Sequence, residues 1–155
     1  MTITVRKGTA ADLPRALAIW RAAVDATHGF LSAQDRAEID VMVEHEHLPQ
    51  VDLWVAVDEA GQVQAFLGMG TDEIDSLFVD PALHERGFGS TLVAHALRLV
   101  PDAKVDASEQ APQAVAFYER RGFVRTGRPP CDPAGGPYPL VHFRYPASGD
   151  SRRVS

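Results

Sequence analysis

Residues 74–100 read IDSLFVDPALHERGFGSTLVAHALRLV. Ile74 to Val79 is a short run of β-branched, aromatic and aliphatic residues, as a buried strand requires, and Asp80-Pro81 closes it with a turn signal. After a polar loop come Gly87 and Gly89, and then Leu92, Val93, Ala96, Leu97 and Val100 recur at the three- and four-residue spacing of a helix face. A strand therefore feeds a glycine loop that opens a helix. The first N–H groups of a helix lack intrahelical partners and carry the positive end of its dipole, and glycine lets backbone approach a ligand closely. The arrangement predicts a seat for an anion, a phosphate or pyrophosphate.

Two common owners of such a seat are excluded. A P-loop needs a lysine after its second glycine, and there is no lysine between Lys7 and Lys104. A dinucleotide fingerprint needs a third small residue three positions after Gly89, where Leu92 stands.

The outward reading gives the rest of the topology. Ile3 to Arg6 predicts an edge strand, and Thr9 to Asp12 a capping-box start for a helix that buries Leu13, Ala16, Leu17, Trp20 and Val24 and stops near Gly29. Ser32 to Asp35 starts a second helix expected to turn Ile39, Met42 and Val43 inward. His45 and His47 are two apart, too close to share a helix face or a metal, and read as solvated. From Leu53 the period becomes that of strands: LWVAV, a turn at 58–61, QVQAFLGMG, a turn at 71–73, and the strand at Ile74 form an antiparallel meander. Lys104 to Ser108 is a further strand, parallel to the one at Ile74 because a helix connects them. Pro112 opens a helix that ends at Gly122, and Phe123 to Arg128 and Leu140 to Tyr145 are two last strands around a breaker-rich loop. His142 reads as a packed or edge histidine of the final strand.

With 155 residues, 45% of them apolar, the chain suits one domain, taken here as residues 1–146, with a disordered tail at 147–155. No apolar run matches a membrane span and the N-terminus has no signal-peptide pattern, so a cytoplasmic protein without a membrane partner is expected. The lone Cys131 fits a reducing compartment and reads as an incidental loop thiol. A net charge of −6 argues against nucleic acid as a partner.

The segment Leu77-Phe78-Val79-Asp80-Pro81 followed by HERGFG resembles the acyl-CoA motif of the GNAT acetyltransferases, [QR]-x-x-G-x-[GA] after a hydrophobic strand end. A second hallmark of that family, N-x-x-A-x-x-F-Y-x-x-x-G-F, is matched by Ala114, Phe117, Tyr118, Gly122 and Phe123, with Ala111 at the asparagine position. The stretch AVDATHGFLS, Ala23 to Ser32, is similar to small single-domain bacterial members. The resemblance implies an α/β fold with a mixed, mostly antiparallel sheet of about seven strands, splayed like a V between two central parallel strands and flanked by about four helices. It further implies transfer of an acetyl group from acetyl-CoA, without a metal, to a primary amine of a small molecule or peptide. The cofactor contacts it carries over fall on Leu77, Phe78, Val79, His84, Glu85, Arg86, Gly87, Phe88, Gly89, Ser90, Thr91, Ala111, Phe117 and Tyr118. His84 replaces the usual Gln or Arg, Glu85 puts a carboxylate near the pyrophosphate, and Ala111 removes an amide contact worth about 1 kcal/mol.

Attack by an amine on a thioester needs a base for the amine, a donor for the oxyanion and an acid for the thiolate. The resemblance gives the oxyanion to the backbone N–H around Val79 and the acid role to Tyr118. For the base, His28 between the first two helices titrates in the right range, with Glu109, Asp75 or a water chain as rivals. His28, Phe30 and Asp75 are the residues expected to meet the acceptor. An acyl-CoA-binding sensor without turnover is the alternative class, and a homodimer stays open.

Overall fold

The computed structural model describes residues 2–27, 29, 31–83, 86–108, 110–127 and 140–146. Cys131 and the 147–155 tail lie outside them, as do His28, Phe30, His84, Glu85 and Glu109. The strands are β1 (Thr4–Lys7), β2 (Asp52–Val57), β3 (Val63–Met69), β4 (Glu73–Val79), β5 (Lys104–Ser108), β6 (Val124–Gly127) and β7 (Leu140–Arg144). The helices are α1 (Leu13–Thr27), α2 (Ala33–Met42), α3 (Phe88–Leu99) and α4 (Pro112–Arg120). One mixed sheet runs β1-β2-β3-β4-β5-β7-β6.

All neighbours in the sheet are antiparallel except β4 and β5. That parallel contact is brief: Glu73 pairs with Lys104 and Ile74 with Val105, after which the strands part. The parting has a local cause. Between β3 and β4 the register passes from Met69 opposite Ile74 to Gly68 opposite Ser76, so Asp75 is an extra residue, a β-bulge. A bulge bends its strand and increases its twist, and this one sits immediately after the last β4–β5 pair. β5 continues instead along β7, from Lys104 opposite Arg144 to Ser108 opposite Leu140.

Each face of the sheet has its own core. On the α3–α4 face, Leu67, Ile74, Phe88, Leu92, Val105, Tyr118 and Phe143 pack together; on the α1–α2 face, Leu17, Ile19, Trp20, Val43, Leu53, Val55 and Phe66 do so. Full burial of an aromatic or aliphatic side chain contributes about 1.5–3 kcal/mol, so Phe66, Phe88 and Phe143, all fully buried, are principal anchors. Leu77 and Val79 pack on the first core and Phe78 on the second, so the free end of β4 contributes to both faces.

The predicted helix starts are present in detail. The Asp12 carboxylate accepts from the Thr9 N–H at 2.8 Å and from both Arg6 guanidinium nitrogens at 2.9 and 3.0 Å. The guanidinium holds the Asp12 pKa down at about 2 and ties β1 to α1, which a short 3-10 turn at 10–12 precedes. Ser32 caps α2 by accepting from the Asp35 N–H, and Asp40 joins Arg21 and Arg36, each at 2.8 Å, across α1 and α2.

Two expectations for this region need correction. Val43 is buried and Ile39 packs against the α1–α2 core, but Met42 is 47% exposed. Ile39 and Val43, four residues apart, define the inward line of the helix, and Met42 falls beside it. After Met42 the chain widens into a single π turn, Val43–His47. That turn carries His47 away from solvent: its side chain is 27% exposed, whereas that of His45 is 66% exposed.

Candidate active site

Gly87 takes a left-handed backbone, φ +94°, to cap the N-terminus of α3, a conformation that strains any residue with a side chain. Its carbonyl receives both the N–H of Thr91 at 3.0 Å and the Thr91 hydroxyl at 2.7 Å, which fixes the entry into the helix. The N–H groups of Phe88, Gly89 and Ser90 fall in the opening turn of α3, where a helix does not satisfy its own donors. Gly89 leaves room for a close neighbour. A Cβ there would stand 3.2 Å from the ring of Phe117, reaching across from α4.

Beside this helix start a cleft of about 350 Å³ enters where β4 and β5 part. Of the residues expected from sequence, Leu77, Phe78, Val79, Gly87, Gly89, Ser90, Phe117 and Tyr118 line it. Phe88 and Ala111, each 1% exposed, do not; they serve the core and can offer a ligand only backbone atoms. Thr91 is spent on the helix cap and Arg86 is exposed outside the cleft. Asp80 donates its N–H to the Gln64 carbonyl on β3, so by strand alternation the N–H groups of Leu77 and Val79 point the other way, into the gap left by β5.

Sequence reading missed a second wall. Gln113, Ala114, Arg120 and Arg121 face the cleft from α4, and Ala23 of α1 closes its far side. The α4 residues follow the helical repeat with Phe117, so the spacing 113, 114, 117, 120, 121 carried the signal. Arg121 bonds through Nε to the Ser90 hydroxyl at 3.0 Å, and its guanidinium lies 4.5 Å from the Phe117 ring centre. A cation is thereby held beside the first turn of α3.

Tyr118 is 6% exposed and its ring is wedged edge-on between Phe117 at 5.2 Å and Phe123 at 5.4 Å. Burial pushes the phenol pKa well above its ordinary value, so the group stays protonated throughout the physiological range.

On the opposite side of β4, Asp75 is exposed at the bulge, near His47. His47 Nε2 lies 3.3 Å from the Ser76 hydroxyl and Nδ1 3.9 Å from the Asp75 carboxylate. His142, half-buried on β7, pairs through Nδ1 with Asp106 of β5. Burial and the nearby Asp75, Asp106 and Asp72 together raise the pKa of Glu73. Among the described residues no group of three or more His, Cys, Asp or Glu could hold a metal ion, and no helix is long and apolar enough to cross a membrane.

A family model described as an acetyltransferase (GNAT) domain matches residues 49–125. The peptidyl-lysine N-acetyltransferase YjaB of Salmonella typhimurium strain LT2 is 42% identical over 94% of this chain and 100% of its own length. The solution structure of apo-form YjaB from Escherichia coli superposes with a TM-score of 0.88, at 40% identity over 96% of this chain and 100% of that one. At 18% identity the fold alone is shared with the PaiA N-acetyltransferase of Thermoplasma acidophilum, solved in complex with coenzyme A, at a TM-score of 0.76 over 94% of this chain and all of that one.

Proposed function

This chain belongs to the GNAT acetyltransferase family, and from that premise we propose that it moves an acetyl group from acetyl-CoA to the side-chain amine of a peptide lysine by direct attack. The observation that carries the reading is the cleft at the β4–β5 parting with a glycine-capped helix start at its mouth. The acceptor class rests on the activity for which the relatives are named, and the donor on the same cleft geometry. We place the reaction in the cytoplasm.

Each wall of the cleft has a part in the chemistry. The N–H groups of Gly89 and Ser90, with Arg121 beside them, receive the donor's pyrophosphate. The unpaired edge of β4 takes the extended arm of the donor, and the N–H of Val79 faces the oxygen that becomes negative when the amine adds. Such a donor is worth about 3–4 kcal/mol in comparable acyl transfers. Tyr118, kept neutral by burial, hands its proton to the departing thiolate.

The alternative of an acyl-CoA-binding module without turnover keeps one point in its favour, the buried Ala111 where an amide contact is missing. One assay separates the two. Purified protein with acetyl-CoA and a lysine-containing peptide is expected to release thiol in step with acetylation of the lysine, and polyamines, aminoglycosides and peptide α-amines run alongside define the acceptor. A thermal shift with acetyl-CoA but no thiol release from any amine would favour the module.

A further inference from the structure

The general base has no owner among the described cleft residues. Two local irregularities meet at one point of the fold. The π turn at Val43–His47 ends on His47, and the β-bulge of β4 falls on Asp75. π turns are rare and recur at functional sites, and bulges re-aim side chains beside active sites. Here they bring together three groups: Ser76 Oγ 3.3 Å from His47 Nε2, and Asp75 Oδ2 3.9 Å from His47 Nδ1. Without the π turn, an ordinary last turn of α2 would carry the histidine along another line; without the bulge, Asp75 would not be the extra residue of the strand.

The trio adjoins the cleft wall along β4 without lining it. Leu77 follows Ser76 directly and lines the cleft, as does Phe78. At about 3.3 Å of rise per residue, the Ser76 backbone lies about 7 Å along β4 from that of Phe78, the next residue on its face. Ser76 and Phe78 share the α1–α2 face of the sheet, as the packing of Phe78 in that core shows, whereas Tyr118 belongs to the α3–α4 core.

Resting on the acetyltransferase reading, we propose that His47, with the Asp75 carboxylate nearby, takes the proton of the acceptor ammonium through the Ser76 hydroxyl. The ammonium gives a proton to Ser76 Oγ while the Ser76 hydrogen passes to His47 Nε2, and the neutral amine forms the C–N bond. As the C–S bond breaks, the thiolate takes the phenolic proton of Tyr118, and the second proton of the nitrogen restores the phenol. One proton per turnover leaves from His47 to solvent. Imidazole is the side chain that changes charge between pH 5 and 8, as such a relay requires. The charged groups around it are Asp75 from β4 and Glu44, His45 and Glu46 on its own turn; Glu44 is itself paired with Arg21, and Asp75 in turn acts on Glu73 of β4.

The test is the pH profile of thiol release with acetyl-CoA and a lysine peptide. His47→Gln can still bond Ser76 but cannot titrate, so the acidic limb of kcat/KM should vanish and kcat should fall by about 10²-fold or more, with the acetyl-CoA KM and the melting temperature unchanged. Ser76→Ala should lower kcat similarly. A variant that keeps the wild-type limb, a Ser76→Ala enzyme at full rate, or a rate loss that tracks a lower melting temperature would each overturn the relay while leaving the transferase reading intact. Failure of the wild-type protein to turn over any amine would overturn both.

Discussion

The Nε of Arg121 donates to the Ser90 hydroxyl at 3.0 Å while the same guanidinium lies over the Phe117 ring at 4.5 Å, so one side chain spans the helix start of α3 and the aromatic wall of α4. In sequence the motif HERGFG carries His84 where the family usually has Gln or Arg, and an acidic Glu85 after it, so a cation from α4 matters more here. We expect Arg121→Ala to weaken acetyl-CoA binding about tenfold, equivalent to ~1.4 kcal/mol. Arg121→Lys should recover part of it, since the charge returns but the planar fork does not. Calorimetric titration decides, and an unchanged Kd would make Arg121 a packing residue of Phe117.

Acetyl-CoA itself should stabilise the fold, by ~2.7 kcal/mol at a hundredfold excess over Kd. The two glycines should then fail in different ways. Gly87→Ala meets only an ordinary contact, Ile3 at 3.7 Å, but forces a side chain onto a φ of +94°. It should lower the apo melting temperature by an amount equivalent to ~1–2 kcal/mol. Gly89→Ala has no such strain, but its methyl sits 3.2 Å from the Phe117 ring and in the opening turn of α3. It should cost little in the apo protein and remove most of the ligand-induced shift. Equal behaviour of the two variants would refute this division of labour.

Both glycines announce themselves in the sequence, as do Phe117 and Tyr118, because their motifs are local: a strand end, a helix start and a helix face each fix their neighbours within a few residues. The parallel pairing of β4 with β5 was legible for a similar reason, since a helix connects them. The site around Ser76 was not. His47 meets it from 29 positions away, through a π turn and a bulge that no periodicity announces. Met42 was misplaced for the same reason: a ten-residue helix with few apolar residues gives a weak signal for its inward line. Arg120 and Arg121 were overlooked although the spacing from Gln113 pointed to them, because charged residues at a helix end read first as solvated.

Tyr118→Phe keeps the ring that Phe117, Phe123 and Phe143 enclose, and removes only the hydroxyl. Folding and acetyl-CoA affinity should be unchanged while kcat falls by about 10²- to 10⁴-fold, the usual range for a general acid. Steady-state kinetics with a binding measurement on the same sample checks both. Loss of affinity together with rate would make the hydroxyl a binding contact, and normal turnover would make Tyr118 a core aromatic alone.

His95 on α3 packs its ring 4.3 Å from Trp54, and its Nε2 is fully buried without a hydrogen-bond partner among the described residues. Burial, helped by Arg98, lowers its pKa from the ordinary imidazole value. Protonation is therefore easier in the unfolded chain, so the stability His95 contributes is present above the unfolded imidazole pKa of ~6.5 and is lost as the pH falls below it. Asp12, held at about 2, stays charged throughout that window and cannot produce the effect. Glu73, whose pKa is raised, would act with the opposite sign, because a carboxyl that protonates more readily when folded favours the fold at lower pH. The melting temperature should thus decline between about pH 7.5 and pH 5.5, and His95→Phe should flatten the decline while keeping a ring against Trp54. The same variant removes a buried unpartnered nitrogen, whose burial costs about 1–3 kcal/mol, so it should also be at least as stable as the parent at neutral pH. A decline of undiminished slope in His95→Phe would assign the acid sensitivity to another group.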